Sequence, residues 1–140
     1  MKAKEYLQNV RRIADKINNK QLQLLNLWDM ARSITTTMSD IGGSGQGGAD
    51  QMAETVSKIV DLENEISGDI DQYVEMKLEA IQMINLLQNE THSSLLFRRY
   101  INLEEWPEIA EKMKYTRQSL MNKHRQALSD FQEILDGWKR

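Results

Sequence analysis

The sequence predicts an all-α fold, with a long antiparallel helical hairpin followed by a C-terminal helix-turn-helix. The chain of 140 residues contains a single Pro, and only 6% of its residues are aromatic. Apolar residues recur at steps of three and four along most of the chain, which is the spacing of one helix face. The β-branched residues are scattered, whereas strands would collect them in alternating runs. Five of the seven glycines lie in residues 39–51, between the two longest periodic segments.

Two long amphipathic segments predict the hairpin. The first extends from about Lys4 to Met38, and the second from about Ala49 to Gln88. Residues 39–51 between them are expected to form a flexible glycine-rich loop. A phosphate-binding loop is the weaker interpretation, because no Lys-Ser or Lys-Thr pair follows the glycines. Each helix of such a coiled-coil hairpin buries one face only, so we expect a third helix or a second copy of the chain to cover the remainder.

Shorter elements are predicted after the hairpin. A short helix is expected over His92–Tyr100, with His92 exposed at its start, followed by a break over residues 102–105. Pro107 then lies in the first turn of a new helix, where its missing N–H costs little. That helix is predicted to end near Met113.

The last two helices are predicted to form a helix-turn-helix. Residues 114–115 form the turn, and Thr116 is a suitable N-cap for the final helix. A short helix, a tight turn and an N-capped second helix are the layout of this motif. We therefore divide the chain into a hairpin for oligomerisation or partner docking, residues 1–90, and a DNA-binding unit, residues 91–140.

The first turns of the final helix carry the candidate DNA contacts. Arg, Gln and Asn side chains can form paired hydrogen bonds with base edges, and Lys side chains at the margins of such a face suit phosphates. The arginines before the break are predicted to be surface charges or phosphate clamps. The predicted DNA-binding residues are Arg117, Gln118, Met121, Asn122, Arg125, Lys114, Lys123, Arg98 and Arg99.

The charge of the chain is unevenly distributed. Residues 1–91 hold 9 Lys/Arg and 14 Asp/Glu, a formal charge of −5. Residues 92–140 hold 9 Lys/Arg and 7 Asp/Glu, a formal charge of +2, which gives the total of −3. The two halves are therefore expected to have different partners, with the basic half facing an acidic one.

Composition argues against several classes of protein. The absence of Cys excludes a disulfide scaffold, a thiolate zinc site and a cysteine nucleophile. No Glu-x-x-His pattern occurs, and His124 is expected to pack in the core, so we predict no metal, no cofactor and no enzymatic activity. No stretch approaches the ~18 apolar residues of a membrane span, so a cytoplasmic protein without membrane contact is expected.

Residues 95–128, "LLFRRYINLEEWPEIAEKMKYTRQSLMNKHRQAL", resemble region 4 of bacterial sigma-70 factors. The matching positions are Glu108-Ile109-Ala110, Thr116-Arg117, Leu120, His124 and Ala127-Leu128. In that family the recognition helix binds the −35 promoter element through its first two turns. The resemblance therefore implicates Arg117, Gln118, Met121 and Asn122. Lys114, Met121 and Lys123 depart from the family pattern, and nothing resembles sigma region 2, so the resemblance does not imply promoter melting.

The layout of nearly the whole chain is also similar to a family of small proteins of Gram-positive phages and prophages. That similarity is carried by the N-terminal "YL…V…I…KI" helix, the glycine-rich loop, "IVDLENEI" and the sigma-region-4-like end. Proteins of this family are described as sigma-factor-like or as regulators of late phage transcription. The similarity implies a location in the cytoplasm of a bacterial host cell.

Three functions follow as hypotheses. The first is a sequence-specific transcription regulator that binds double-stranded DNA, with a hairpin that forms a homodimer or docks on RNA polymerase. The second is a DNA-packaging protein similar to small terminase subunits, which form rings but usually carry the motif N-terminally. The third is an interaction protein that binds RNA polymerase and no DNA.

Overall fold

The computed structural model describes residues 1–40 and 46–138. These residues contain no strand, so the predicted all-α fold is confirmed. The helical segments are α1 (Ala3–Asp40), α2 (Gln46–Asn85), α3 (Glu90–Leu96), a π-helix (Phe97–Ile101), α4 (Trp106–Met113) and α5 (Arg117–Gly137).

The two long helices extend into the segment 39–51, which was predicted to be a loop. Helix α1 continues to Asp40, and α2 already begins at Gln46. Both ends therefore extend into the segment whose glycines predicted a loop. The remainder of that predicted loop, residues 41–45, lies outside the described residues.

The chain divides into two compact units. The hairpin unit is Asp15–Gln72, and the terminal unit comprises Met1–Ala14 together with Tyr73–Arg140. The boundaries of these units differ from the predicted functional boundary between residues 90 and 91. The reason is that the first turns of α1 belong to the same unit as the C-terminal helices. The assignment of separate functions to residues 1–90 and 91–140 stays a prediction.

In the hairpin unit, apolar residues of α1 and α2 are buried at the helical spacing that the sequence shows. Lysines of α1 form ion pairs with carboxylates of α2, and in the shortest of them Lys20 Nζ donates to Asp69 Oδ2 at 2.7 Å. This hydrogen bond is the main cause that lowers the pKa of the Asp69 carboxyl. The buried apolar residues are Ile17 and Ala31 of α1 and Ile59, Leu62 and Ile66 of α2.

In the terminal unit, the start of α1 packs in one core with the end of α2, with α3 and with α5. Leu7 and Phe131 are both fully buried. The Tyr6 ring lies 5.9 Å from the Phe131 ring, and the Ala3 amide donates to Gln132 Oε1 at 2.6 Å. The N-terminal segment is therefore part of the same core as the C-terminal helix.

A second apolar cluster holds α3, α4 and α5 together. Leu95, Ile109 and Leu120 are fully buried at its centre. Ala110, Met113 and Tyr115 pack against them. This cluster sets the position from which α5 projects its first turns.

Candidate nucleic-acid interface

The turn between α4 and α5 determines where α5 begins. Lys114 ends α4 in the left-handed conformation, at φ 59° and ψ 44°, and the Tyr115 amide donates to the Ala110 carbonyl at 3.0 Å. The Thr116 hydroxyl oxygen then accepts a hydrogen bond from the Ser119 amide at 3.2 Å. The predicted turn and N-cap are confirmed. Together they start α5 at Arg117.

Four polar side chains form the outer face of α5: Arg117, Gln118, Asn122 and Arg125, all exposed. Arg125 Nη2 donates to Asn122 Oδ1 at 2.7 Å, so these two side chains form one donor-rich pair on adjacent turns. Among the described residues, no carboxylate forms an ion pair with either arginine. Their guanidinium groups remain available for an acidic partner.

Two predicted contact residues are only half exposed. Met121, predicted to point outward, packs partly against the buried cluster of Leu95, Ile109 and Leu120. Lys123 is half-buried, and its Nζ lies 4.9 Å from the centre of the Tyr115 ring. The long stem of Lys123 thus covers apolar surface while the ammonium stays at the edge, as expected of a snorkelling Lys. Lys114 is exposed beside them.

The two arginines of the π-helix have carboxylate partners within the protein. Arg98 Nη1 lies 3.3 Å from Glu104 Oε1, and Arg99 Nη1 lies 3.3 Å from Glu105 Oε2. The Arg99 guanidinium also stacks over the Trp106 ring, 4.5 Å from its centre. These contacts reduce the charge that either arginine can offer to a phosphate.

Glu104 is the buried acceptor at the break before α4. It accepts hydrogen bonds from Lys112 Nζ at 3.2 Å and from Asn102 Nδ2 at 3.4 Å, in addition to the Arg98 contact. Burial acts to raise the pKa of the Glu104 carboxyl, but these hydrogen bonds outweigh burial and lower the pKa. This role of Glu104 was not predicted, because the residue lies in a segment whose sequence indicates only a break between helices.

His124 is buried, as predicted, and joined to Tyr100. Its Nε2 lies 2.7 Å from the Tyr100 hydroxyl, and its ring meets the Trp106 ring edge-on at 4.6 Å. Burial, with a smaller effect of the Lys4 and Arg99 charges, lowers the pKa of His124 to about 4. The ring is therefore neutral at pH 7, and its role in the described structure is to fill the core.

The prediction for His92 was wrong. This side chain is buried, and its Nδ1 lies 2.6 Å from Asp130 Oδ2 on α5. Asn89 caps α3 by accepting from the His92 amide at 3.1 Å, which places His92 in the first turn. The side chain then faces α5 rather than solvent. A polar residue at a helix start gives no sign of burial when its partner is 38 positions away.

The sequence analysis also missed the basic residues at the start of α1. Arg11 Nη1 donates to the Arg99 carbonyl at 2.6 Å, and Arg11 Nη2 lies 2.6 Å from Glu105 Oε1. Lys4 and Gln8 precede Arg11 at positions i−7 and i−3. That spacing puts the three side chains on one helix face and was the available signal.

The described residues contain no cluster of three or more His, Asp or Glu side chains that could hold a metal ion. Within the same residues, every helix is too short or too polar to cross a lipid bilayer.

The fold and the outer face of α5 define an all-helical protein with a C-terminal helix-turn-helix layout. The family model described as "Protein of unknown function (DUF1492)" matches residues 32–132. This span is more than half of the chain, so the protein belongs to the DUF1492 family. The search of curated proteins and the search of solved structures gave no match.

Proposed function

We propose that the protein is a sequence-specific DNA-binding regulator of transcription, sigma-factor-like and of phage or prophage origin, in which α5 enters the major groove. The observation that carries this proposal is the outer face of α5, where Arg117, Gln118, Asn122 and Arg125 are exposed at the N-capped start of the helix. Arg and Asn side chains can pair with guanine and adenine edges. Lys114 and Lys123 flank the face and suit backbone phosphates.

Ion pairs within the protein divide the predicted DNA-contact arginines into two groups. Arg117 and Arg125 have no carboxylate partner among the described residues, whereas Arg98 and Arg99 are paired with Glu104 and Glu105. We therefore assign base contacts to the outer face of α5. Arg98 and Arg99 hold the corner between α3 and α4 through these pairs and are assigned no base contact.

The test compares two double variants of the same residue types. Arg117→Ala with Asn122→Ala removes two side chains of the outer face, and Arg12→Ala with Asn18→Ala removes an exposed Arg and Asn of α1. Duplexes are first selected from a random pool with the wild-type protein. The α5 variant should lose at least about tenfold of its preference for the selected duplex over a scrambled one, and the α1 variant should keep it.

If both variants preferred the selected duplex over the scrambled one equally, the assignment of base contacts to α5 would be contradicted. The same titrations at several salt concentrations measure the phosphate contacts, because affinity for DNA falls as counterions are released. Absence of DNA binding at low salt, together with capture of purified RNA polymerase, would favour the interaction-protein alternative.

We also propose that the hairpin unit forms a homodimer. Large apolar side chains on its surface are exposed beside the buried stripe: Leu22 61%, Leu25 58% and Trp28 42% on α1, and Val56 46% and Val60 49% on α2. Large exposed apolar patches mark interaction sites in soluble proteins. A second copy presents an equally apolar face and would cover it.

Light scattering after size exclusion tests the dimer. Leu25→Glu with Val60→Glu should give a monomer, because it places charges in the apolar face. Gln23→Glu with Asn64→Glu adds the same charges at exposed polar positions and should leave the dimer intact. A ring of eight or more subunits would instead favour the packaging alternative, and a monomeric wild type would contradict the dimer.

A further inference from the structure

A small cavity in the terminal unit lies between the start of α1 and the first turns of α5. Its volume is about 200 Å³, and its lining includes Lys4, Gln8, Arg11, Arg99, Trp106 and His124. Pockets that enclose whole drug-sized molecules run from ~300 to 1,000 Å³. This cavity is therefore sized for one small group.

The cavity concentrates positive charge. Three of its lining residues are cations, and no carboxylate is among the lining residues that the structure describes. Glu105 pairs with Arg11 and Arg99 from outside the lining, so three cations face one carboxylate and the net charge around the cavity stays positive. Lys4 is exposed and forms no ion pair with a described residue.

The backbone holds two of these cations in place before any ligand arrives. Arg11 Nη1 donates to the Arg99 carbonyl at 2.6 Å, and Arg99 Nη1 donates to the Glu104 carbonyl at 3.3 Å. The side chains of Arg11 and Arg99 are 16% and 19% exposed, so both are largely removed from water. The Glu105 carboxylate bridges Arg11 and Arg99, which offsets one of the three positive charges and leaves the other two for an anion in the cavity.

The positive charges around the cavity also affect the pKa of the His124 ring. After burial, the charges of Lys4 and Arg99 are the next causes that lower its pKa to about 4. Both cations therefore act on the same wall of the cavity.

We propose that this cavity, hereafter the anion pocket, binds a phosphate group through Lys4, Arg11, Arg99 and the Gln8 amide. Arg and Lys side chains form charge-assisted hydrogen bonds with phosphate oxygens, and the amide adds a neutral donor. The phosphate can be that of a free phosphorylated molecule or a backbone phosphate of bound DNA. Only the second source rests on the proposed function.

Inorganic phosphate is the first probe, titrated into the full-length protein at constant ionic strength. The Trp106 indole signal and the His124 ring signals in NMR spectra report binding at the pocket. We expect saturable shifts and a higher pKa of His124 with phosphate bound, because a nearby anion favours the protonated ring.

Two matched Lys variants distinguish phosphate binding in the pocket from nonspecific attraction to surface charge. Lys4→Ala should weaken phosphate binding about tenfold, since it removes one charge-assisted hydrogen bond. Lys2→Ala removes an exposed lysine outside the cavity and should bind as the wild type does. Gln8→Glu places a carboxylate in the pocket and should abolish binding. Circular dichroism and thermal melting establish that all three variants are folded.

Duplex DNA then identifies the source of the phosphate. If Lys4→Ala lowers duplex affinity and reduces the salt slope by about 1 relative to Lys2→Ala, the pocket takes a DNA phosphate. If only the phosphate titration changes, the ligand is a free phosphorylated molecule, and the pocket stands even where DNA binding fails. Unshifted Trp106 and His124 signals, or equal phosphate binding by Lys4→Ala and Lys2→Ala, would overturn the proposal.

Discussion

Lys114 occupies a backbone conformation that favours glycine. At φ 59° it is left-handed, and it ends α4 as the C-cap. An L side chain costs roughly 1–2 kcal/mol in this region. Gly would relieve that cost but would also lose more entropy on folding. Lys114 is also one of the positions at which the sequence departs from the pattern of sigma region 4.

Replacement of Lys114 tests this strain. Lys114→Gly should raise the free energy of unfolding by about 0.5–1 kcal/mol, measured by urea denaturation. Lys114→Ala is the matched control, because it removes the same charge and keeps the Cβ atom. Equal stability of the two variants would show that the left-handed conformation carries no penalty.

His124 links stability to pH. Its pKa is about 4 in the folded protein, below its ordinary value of 6.5. Between pH 4 and pH 6.5, His124 is protonated in the unfolded chain but neutral in the folded protein. Acidification therefore favours unfolding. The contribution of His124 to stability is complete above pH 6.5 and is lost as the pH falls to about 4.

The variant His124→Gln isolates this effect. Gln does not titrate, and its amide can still hydrogen bond with the Tyr100 hydroxyl. The free energy of unfolding should therefore fall less steeply between pH 6.5 and pH 4 in the variant than in the wild type. Parallel pH profiles, measured by urea denaturation at each pH, would contradict the assignment to His124.

The helices follow local signals closely. The break over residues 102–105 and the helix through Pro107 are confirmed, because proline chemistry and apolar spacing act over a few residues. The π-helix over Phe97–Ile101 was not predicted. Its backbone pairs the Asn102 amide with the Phe97 carbonyl at 2.9 Å, and the Arg99 carbonyl accepts from Arg11, 88 positions away.

The cap of α5 is the element feature most open to a direct test. Thr116→Ala should lower the free energy of unfolding by about 1 kcal/mol, because the Ser119 amide loses its acceptor. Thr116→Ser retains a hydroxyl and should cost much less. Thermal melting of the two variants measures the difference. An Ala variant as stable as the Ser variant would show that water replaces the cap at no cost.

The start of α1 and helix α5 belong to one compact unit. Leu7 and Phe131 share a core, although the sequence pattern suggested that residues 91–140 stand alone. Two termini pack together only when residues more than a hundred positions apart meet, and the spacing of apolar residues does not encode which helix covers which face.

Truncation of one N-terminal side chain tests this arrangement. Leu7→Ala should cost about 2–5 kcal/mol, as expected for a fully buried Leu. Hydrogen exchange should show reduced protection of amides in α5 as well as in α1. Leu78→Ala removes an exposed Leu outside the proposed dimer face and should change stability by less than about 0.5 kcal/mol. Unchanged protection in α5 would contradict a shared core.

Local chemistry was sufficient to predict the all-α class, the break over residues 102–105, the Thr116 cap and the outer face of α5, because helical periodicity and capping depend on residues within a few positions. It was not sufficient for the partners of His92, Glu104 and Arg11. Those contacts join residues that are close only after the helices pack, so the burial of a charge and its partner follow from the packing. The outer face of α5 was therefore visible in the sequence, whereas the anion pocket beside it emerged only when the start of α1 was placed against the π-helix.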